Sequence, residues 1–230
     1  MAIELLHTYL PMDRRHAIAG GDELPVDATG SVLLADISGF TPLTEALVAG
    51  LGPRRGAEEL TTLLNDVYTA IIDCVHRFGG SVVSFIGDAL VSWFADDAGR
   101  RAAACGVQMQ RTMKKFQAIQ APQGGRVSLA MKAAISAGPV RRFLVGNPEI
   151  QLLDILAGST VDRLNEAEHV AERGEVVVCQ EIARAERDAL LFGAWRGRFG
   201  VVEGFSRRRC PWGSPAGAPR RRGRSPVCAV

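Results

Sequence analysis

The stretch VLLADISGFT (residues 32–41) decides the fold of this 230-residue chain. Its first six residues are apolar except for Asp36, a pattern typical of a central strand that is buried on both faces. Ser38-Gly39 then ends the strand and leaves the Asp36 carboxylate beside several backbone N–H groups at one edge of a sheet. This arrangement suits a metal ion that carries phosphates, with the N–H groups of residues 38–41 on the phosphate oxygens.

A second stretch, SFIGDAL (residues 84–90), places another aspartate in a turn. Two β-rich runs flank Gly87-Asp88, and glycine and aspartate between such runs are typical of a β-hairpin. We therefore predict a hairpin in which Asp88 lies just before the second strand.

The remaining periodicity predicts helices and strands in alternation. A short helix should follow the first strand, with Thr41 as its N-cap and Pro42 in its first turn. Gly138-Pro139 should be a turn that ends a strand. The other predicted elements are helices at 56–78, 98–119, 158–173 and 180–191, and strands at 126–137, 140–145, 151–157 and 175–179.

The order strand, helix, hairpin, helix, strand is the βαββαβ unit of a ferredoxin-like fold. Its right-handed crossovers place the first and third strands side by side and antiparallel in the middle of the sheet. Asp36 ends the first strand and Asp88 precedes the third, so the topology brings them to one edge although 52 residues separate them. We predict an α+β protein with this ferredoxin-like core and extra strands and helices.

Composition divides the chain into three parts. Residues 1–29 are rich in Gly, Pro and Asp and predict an irregular lead-in, residues 30–191 form the domain, and residues 192–230 form an irregular tail rich in Arg and Pro. The last 25 residues hold seven of the 27 basic residues and no acid, so the first 205 residues are mildly acidic. We predict that this tail is disordered or non-native rather than a functional arm, and we expect no nucleic-acid partner.

Several classes of protein are excluded by composition. No apolar run approaches the roughly 20 residues that cross a bilayer, and the N-terminus lacks the pattern of a secretory signal. The five cysteines are odd in number and never lie in a CxxC spacing, which disfavours a disulfide framework or a zinc site. We expect a cytoplasmic protein without a membrane partner.

Two carboxylates beside a glycine turn suit two divalent cations that bridge a nucleoside triphosphate. On spacing alone, an equally good alternative is that Asp36 caps a turn and Asp88 is an ordinary hairpin residue. Polymerases and diguanylate cyclases have a similar sheet with paired aspartates, so the topology does not name a reaction.

The residues themselves resemble the class III nucleotidyl cyclase catalytic domain, and most closely the first catalytic domain of soluble adenylyl cyclases. The resemblance covers residues 32–189. It is carried by ADISGFTPLTE, by GAEELTTLLNDVYTAIIDCVHRFGGSVVSFIGDALVSWF and by MKAAISAG. It implies conversion of ATP into 3′,5′-cyclic AMP and pyrophosphate for signal transduction.

The resemblance also assigns roles to residues. It implies that Asp36 and Asp88 bind two Mg²⁺ or Mn²⁺ ions and that the Ile37 carbonyl is a further ligand. The phosphates would be held by amides of the turn and by a lysine on a later strand. These phosphate-binding residues are Ser38, Gly39, Phe40, Thr41 and Lys132.

The chain departs from the family where the second half of the active site should be. The family's complementary domain carries an Asn and an Arg four residues apart, and Asp162 and Glu166 stand there in GSTVDRLNEAE. Soluble relatives sense bicarbonate with basic residues near the positions of Ser84 and Asn165, neither of which is basic. The resemblance therefore implies the metal-binding half alone.

We thus expect a cyclase domain that needs a complementary catalytic domain and has low activity without it. Two alternatives stay open: a catalytically inactive nucleotide-binding or regulatory cyclase domain, and the truncated remnant of a two-domain cyclase. The change of composition near Phe205 is compatible with a reading-frame shift in the source. ATP is favoured over GTP only by the closer likeness to soluble adenylyl cyclases.

Overall fold

The computed structural model describes residues 10–147, 149–206 and 227–229. The helices in these ranges are α1 (Met12–Gly20), α2 (Phe40–Leu51), α3 (Pro53–Arg77), α4 (Arg100–Met113), α5 (Ser159–Val170) and α6 (Gln180–Ala185). The strands are β1 (Asp27–Ser38), β2 (Ser81–Ile86), β3 (Ala89–Ala95), β4 (Ile119–Gln120), β5 (Arg126–Val127), β6 (Ala130–Asn147), β7 (Gln151–Ala157), β8 (Val176–Cys179), β9 (Leu190–Arg196), β10 (Phe199–Ser206) and β11 (Val227–Ala229).

The main sheet has the strand order β11-β10-β8-β6-β1-β3-β2, with β7 paired to β6 and β9 paired to β10. The four strands β6-β1-β3-β2 and the helices between them form the βαββαβ core, so the predicted α+β, ferredoxin-like fold is confirmed. β1 lies antiparallel to both β3 and β6. β8 joins β6 in parallel and begins the extension of the sheet.

The core explains why β1 is continuously apolar. Val32, Leu33 and Ile37 are almost completely buried, because β1 pairs with a strand on each side and α4 and α5 pack against it. α3 buries Val67 and Ile71 in this core, and their spacing of four residues places both on one face of the helix. The strand that holds Asp36 is therefore fixed on both sides.

The N-terminal lead-in is more regular than predicted. It contains α1, whose N-cap is Pro11, and β1 begins at Asp27 rather than near residue 31. α1 is polar and short, which is why its sequence lacks the apolar periodicity of a buried helix. It is held instead by polar contacts, among them a hydrogen bond from the Asp13 amide to the Ser81 hydroxyl (2.9 Å).

Gly138-Pro139 is not a turn, and the prediction that a strand ends there is wrong. β6 continues through both residues in unbroken register with β1. On its other side, α5 supplies partners: the Thr160 hydroxyl donates to the Pro139 carbonyl (2.7 Å), and the Arg163 guanidinium donates to the Ala137 carbonyl (3.1 Å). These bonds satisfy carbonyls of β6 between the part that pairs with β8 and the part that pairs with β7.

The predicted end of the domain at residue 191 is also wrong. β9 and β10 form an antiparallel hairpin over residues 190–206, and β10 extends the main sheet beside β8. The predicted helix at 180–191 ends at Ala185. Phe205 is fully buried, so the core needs this hairpin. Most of the Arg- and Pro-rich tail, residues 207–226 and 230, lies outside the described residues.

Within the described ranges, no helix is both long and apolar enough to cross a membrane.

Candidate functional site

Two turns meet at one edge of the central sheet. In the antiparallel register of β1 and β3, Asp36 lies opposite Ala89, which directly follows Asp88. The structure therefore brings the two aspartates together as neighbours across adjacent strands. The Asp36 side chain is 25% exposed, and Asp88 lies exposed in the β2–β3 turn. Both carboxylates can be reached from solvent.

The turn after Asp36 requires glycine. Gly39 has a φ of 107°, and a Cβ atom there would lie 2.6 Å from the Ser128 carbonyl oxygen. Gly39 is also the N-cap of α2, which begins at Phe40, two residues earlier than predicted. The first amides of a helix have no intrahelical acceptor, and they lie at the positive end of the helix dipole. The Phe40 and Thr41 amides can therefore bind an anion.

Lys132 lies directly opposite Asp36 on the other neighbour of β1. Its ammonium nitrogen is 3.5 Å from Asp36 Oδ2 and 2.5 Å from Glu168 Oε1. Burial by itself lowers the pKa of Lys132, but the hydrogen bond and charge of Glu168 and the charge of Asp36 outweigh burial and raise it. Lys132 is therefore a cation in this site.

Glu168, the nearest partner of Lys132, is not among the site residues predicted from the sequence. The sequence does carry a signal for it, because an acid in the last turn of a helix opposes the helix dipole and favours a nearby cation. Tyr68 is a second site residue that the sequence did not predict. The Tyr68 hydroxyl donates to the Asp88 carbonyl (3.2 Å), and burial, followed by the charges of Asp88 and Asp36, raises the pKa of this phenol.

Asp162 and Glu166 lie on the exposed face of α5. Glu166 forms an ion pair with Arg198, which lies in the turn between β9 and β10. Ser84 and Asn165 line a mostly apolar cleft of about 450 Å³ between β2, β7 and α5. The cleft thus has no basic side chain among its lining residues.

The donor set at the sheet edge limits which metal would fit. Among the described residues, no group of three or more His, Cys, Asp or Glu side chains could hold a metal ion. Two carboxylates and a backbone carbonyl are hard oxygen donors, and Mg²⁺ typically takes one or two carboxylates and completes its shell with water and substrate phosphates. Asp36, Asp88 and Ile37 fit a cation of that kind.

The family is decided by a match over residues 26–201 to the model described as the adenylate and guanylate cyclase catalytic domain. The chain belongs to this family. The match begins at the start of β1 and ends inside β10, so it covers the whole βαββαβ core and the extension of the sheet. This cyclase domain is thus confirmed as a member of the class III nucleotidyl cyclases.

Individual relatives agree with this assignment. The cyclase domain is 28% identical over 152 residues to the adenylate cyclase type 10 of Mus musculus, an alignment that covers 65% of this chain and 9% of that protein. The chain therefore spans about a tenth of the length of this curated relative. An uncharacterized protein of Mycobacterium tuberculosis is 32% identical over 126 residues, which cover 48% of this chain and 31% of that protein.

The fold matches that of solved cyclases. The adenylyl cyclase CyaB from P. aeruginosa aligns with a TM-score of 0.62 at 24% identity, over 76% of this chain and 94% of that chain. A dimeric guanylyl cyclase domain of the RhoGC fusion protein from Blastocladiella emersonii aligns with a TM-score of 0.60 at 19% identity, over 78% and 96%. At these identities the likeness shows the fold alone.

Proposed function

We propose that this cyclase domain converts ATP into 3′,5′-cyclic AMP and pyrophosphate in signal transduction, as one half of a two-domain active site. The observation that carries the proposal is the meeting of Asp36 and Asp88 at the sheet edge, beside the first turn of α2 and Lys132. Carboxylates, free amides and a cation there match the needs of a metal-bound triphosphate.

In the proposed reaction, the ribose 3′-oxygen forms a bond to the α-phosphorus, and the bond from that phosphorus to the bridging oxygen of the β-phosphate breaks. Pyrophosphate leaves, and the hydroxyl proton is released. Two Mg²⁺ or Mn²⁺ ions, when bound, would lower the pKa of the attacking hydroxyl and offset phosphate charge.

The residues of this chain would position the substrate. Asp36, Asp88 and the Ile37 carbonyl would hold the ions. The turn at Ser38-Gly39 and the Phe40 and Thr41 amides would donate to phosphate oxygens, because helix-start amides lack other acceptors. Lys132 would offset the charge of the terminal phosphates. These groups are fixed before the substrate arrives, which lowers the cost of reorganisation during the reaction.

A complementary cyclase domain is the proposed partner. The α5 positions where the family's second half carries Asn and Arg are Asp162 and Glu166, and negative charge there would repel the developing phosphate charge. The domain also exposes large apolar side chains on β2 and on the β6–β7 hairpin, a property of interaction surfaces. These are Phe85, Ile86, Phe143, Leu144, Val145, Leu152, Leu153 and Ile155.

ATP is proposed as the substrate because several similar curated proteins are adenylate cyclases. GTP is the competing substrate, and the residues that select the base belong to the complementary half. A second candidate function is a catalytically inactive nucleotide-binding or regulatory cyclase domain, or the truncated remnant of a two-domain cyclase. The ion pair of Glu166 with Arg198 favours this second candidate, because it holds an acid at the position where the family's complementary domain carries arginine.

The test mixes the purified chain with a complementary catalytic domain, ATP and Mg²⁺ or Mn²⁺, and measures cyclic AMP. We expect activity that Asp36→Ala reduces by at least about a hundredfold, since loss of a metal ligand removes activation and charge neutralisation together. Asp188→Asn, at an exposed aspartate between α6 and β9, is the control and should keep full activity. Equal cyclic AMP from the wild type and Asp36→Ala would refute catalysis by this domain.

A further inference from the structure

The contacts of Lys132 are unequal. Its ammonium lies 2.5 Å from Glu168 Oε1 and 3.4 Å from the Glu168 backbone carbonyl, whereas Asp36 Oδ2 is 3.5 Å away. All three side chains are about one quarter exposed. Glu168 therefore holds the lysine by two acceptors, and Asp36 is the more distant one.

The register of the sheet by itself would pair Lys132 with Asp36. Asp36 and Lys132 are Cα partners in the antiparallel register of β1 and β6. Opposite charges at directly opposed positions of two strands attract each other and pair. In the absence of a third group, the lysine would neutralise the carboxylate that the metal site needs.

Glu168 is placed to prevent this pairing. It lies in the last turn of α5, where a carboxylate opposes the helix dipole and a cation is favoured. Lys132 supplies that cation, and its bond to the Glu168 carbonyl also satisfies one of the last carbonyls of the helix. The end of α5 thus offers the ammonium a stronger site than Asp36 does.

We propose that Glu168 is a positioning residue that holds the Lys132 ammonium away from Asp36 and so keeps this carboxylate available to a divalent cation. The inference rests on the proposed function, since it takes Asp36 as a metal ligand. It adds a residue of the chain that acts on the site through Lys132 without binding the metal.

The experiment measures binding of Mn²⁺ alone to the full chain, from the electron paramagnetic resonance signal of the free ion. Glu168→Gln keeps the shape of the side chain and removes its charge, so the lysine should move to Asp36 and weaken Mn²⁺ binding about fivefold. Glu172→Gln is the control. It removes an acid four residues away whose partner is Arg196, and it should change Mn²⁺ affinity little.

Loss of a negative charge weakens cation binding by itself, so the decisive comparison uses a second background. In Lys132→Met no lysine can move to Asp36, and Glu168→Gln should then weaken Mn²⁺ binding by no more than about twofold, the effect of the lost charge alone. A merely structural role of Glu168 would not depend on Lys132. Circular dichroism checks that every variant is folded.

Two results overturn the proposal. If Glu168→Gln has the same effect in both backgrounds, or none, Glu168 does not act through Lys132, and the proposed function is untouched. If Asp36→Asn binds Mn²⁺ as the wild type does, Asp36 is not a metal ligand, and the proposed metal site falls together with this inference. The Asp36→Asn measurement therefore separates the two failures.

Discussion

Tyr68 connects the two turns that form the site. Its ring stacks on Phe40, the first residue of α2, with 6.3 Å between the ring centroids, and meets Phe85 edge to face at 5.6 Å. Its hydroxyl donates to the Asp88 carbonyl. One side chain of α3 thus contacts both the start of α2, which is proposed to bind phosphate, and the β2–β3 turn, which couples their positions.

Tyr68→Phe tests whether the Tyr68 hydroxyl positions the Asp88 turn. The variant keeps both ring contacts and loses one hydrogen bond, so we expect a loss of about 1 kcal/mol in the free energy of unfolding. Because the Asp88 turn is then held less firmly, Mn²⁺ binding should weaken about two- to fivefold. Urea unfolding and Mn²⁺ titration measure the two effects. Wild-type Mn²⁺ affinity in a variant of reduced stability would show that Tyr68 does not position Asp88.

Ion pairs hold the helix α1 against the β6–β7 hairpin. The Arg142 guanidinium makes two bonds of 2.7 Å to Asp154, across the hairpin, and also pairs with Asp13 of α1. Arg14 of α1 donates to the same Asp154 (2.7 Å). The Arg142 and Asp154 side chains are each only 3% exposed, so both charges depend on these partners.

Asp154→Asn should therefore lower the free energy of unfolding by about 3 kcal/mol at pH 7, since it leaves the buried Arg142 and the half-buried Arg14 short of a countercharge. The control is Asp27→Asn. It breaks the exposed pair of Asp27 with Arg141, beside Arg142, and should cost under about 0.5 kcal/mol. Urea unfolding of both variants against the wild type measures the difference. Equal costs would mean that the network does not hold α1.

The same network predicts a pH dependence. Burial by itself raises the pKa of Asp154, but the hydrogen bonds and charges of Arg142 and Arg14 outweigh it, so this pKa lies below its ordinary value. A carboxyl whose pKa is lower in the folded state than in the unfolded state stabilises the folded protein. This contribution is complete above the unfolded-state pKa and is lost as pH falls through the folded-state pKa. The difference in the free energy of unfolding between the wild type and Asp154→Asn should thus have its full value at pH 7 and become smaller below about pH 4.

The helices and strands that were predicted correctly are those whose own residues carry the pattern that specifies them. β1, α3 and the β2–β3 hairpin have apolar periodicity or turn residues of their own, and β1 and the hairpin carry both aspartates. α1 is held by ion pairs with residues over 100 positions away, and β6 passes through Gly138-Pro139 because α5 satisfies its carbonyls. Such support comes from tertiary contacts, which propensity does not encode. The same reason hid Tyr68, whose role arises from its partners across the fold. Glu168 had a local signal as an acid in the last turn of a helix, but its partner Lys132 lies on another element.

For the molecule as a whole, four exposed apolar side chains of β2 and β7 lie together on one surface. Phe85, Ile86, Leu153 and Ile155 line the cleft of about 450 Å³, together with Ser84 and Asn165. Asp162 and Glu166 lie on α5, which also borders this cleft. A partner that docks here would therefore meet the face of α5 on which the second half of a cyclase site would lie.

Leu153→Lys tests this surface as the docking site of the complementary domain. Leu153 is 52% exposed on β7, so a lysine there should fold normally but place a charge in the apolar interface. We expect partner-dependent cyclic AMP formation to fall at least about tenfold. Mn²⁺ binding at Asp36 should stay at the wild-type level, because β7 pairs with residues 141–147 of β6, whereas Asp36 lies opposite Lys132. Val48→Lys, on α2 at 38% exposure, is the matched control and should retain activity. Full activity of Leu153→Lys would place the partner elsewhere, and a parallel loss in Val48→Lys would show that added positive charge rather than position is responsible.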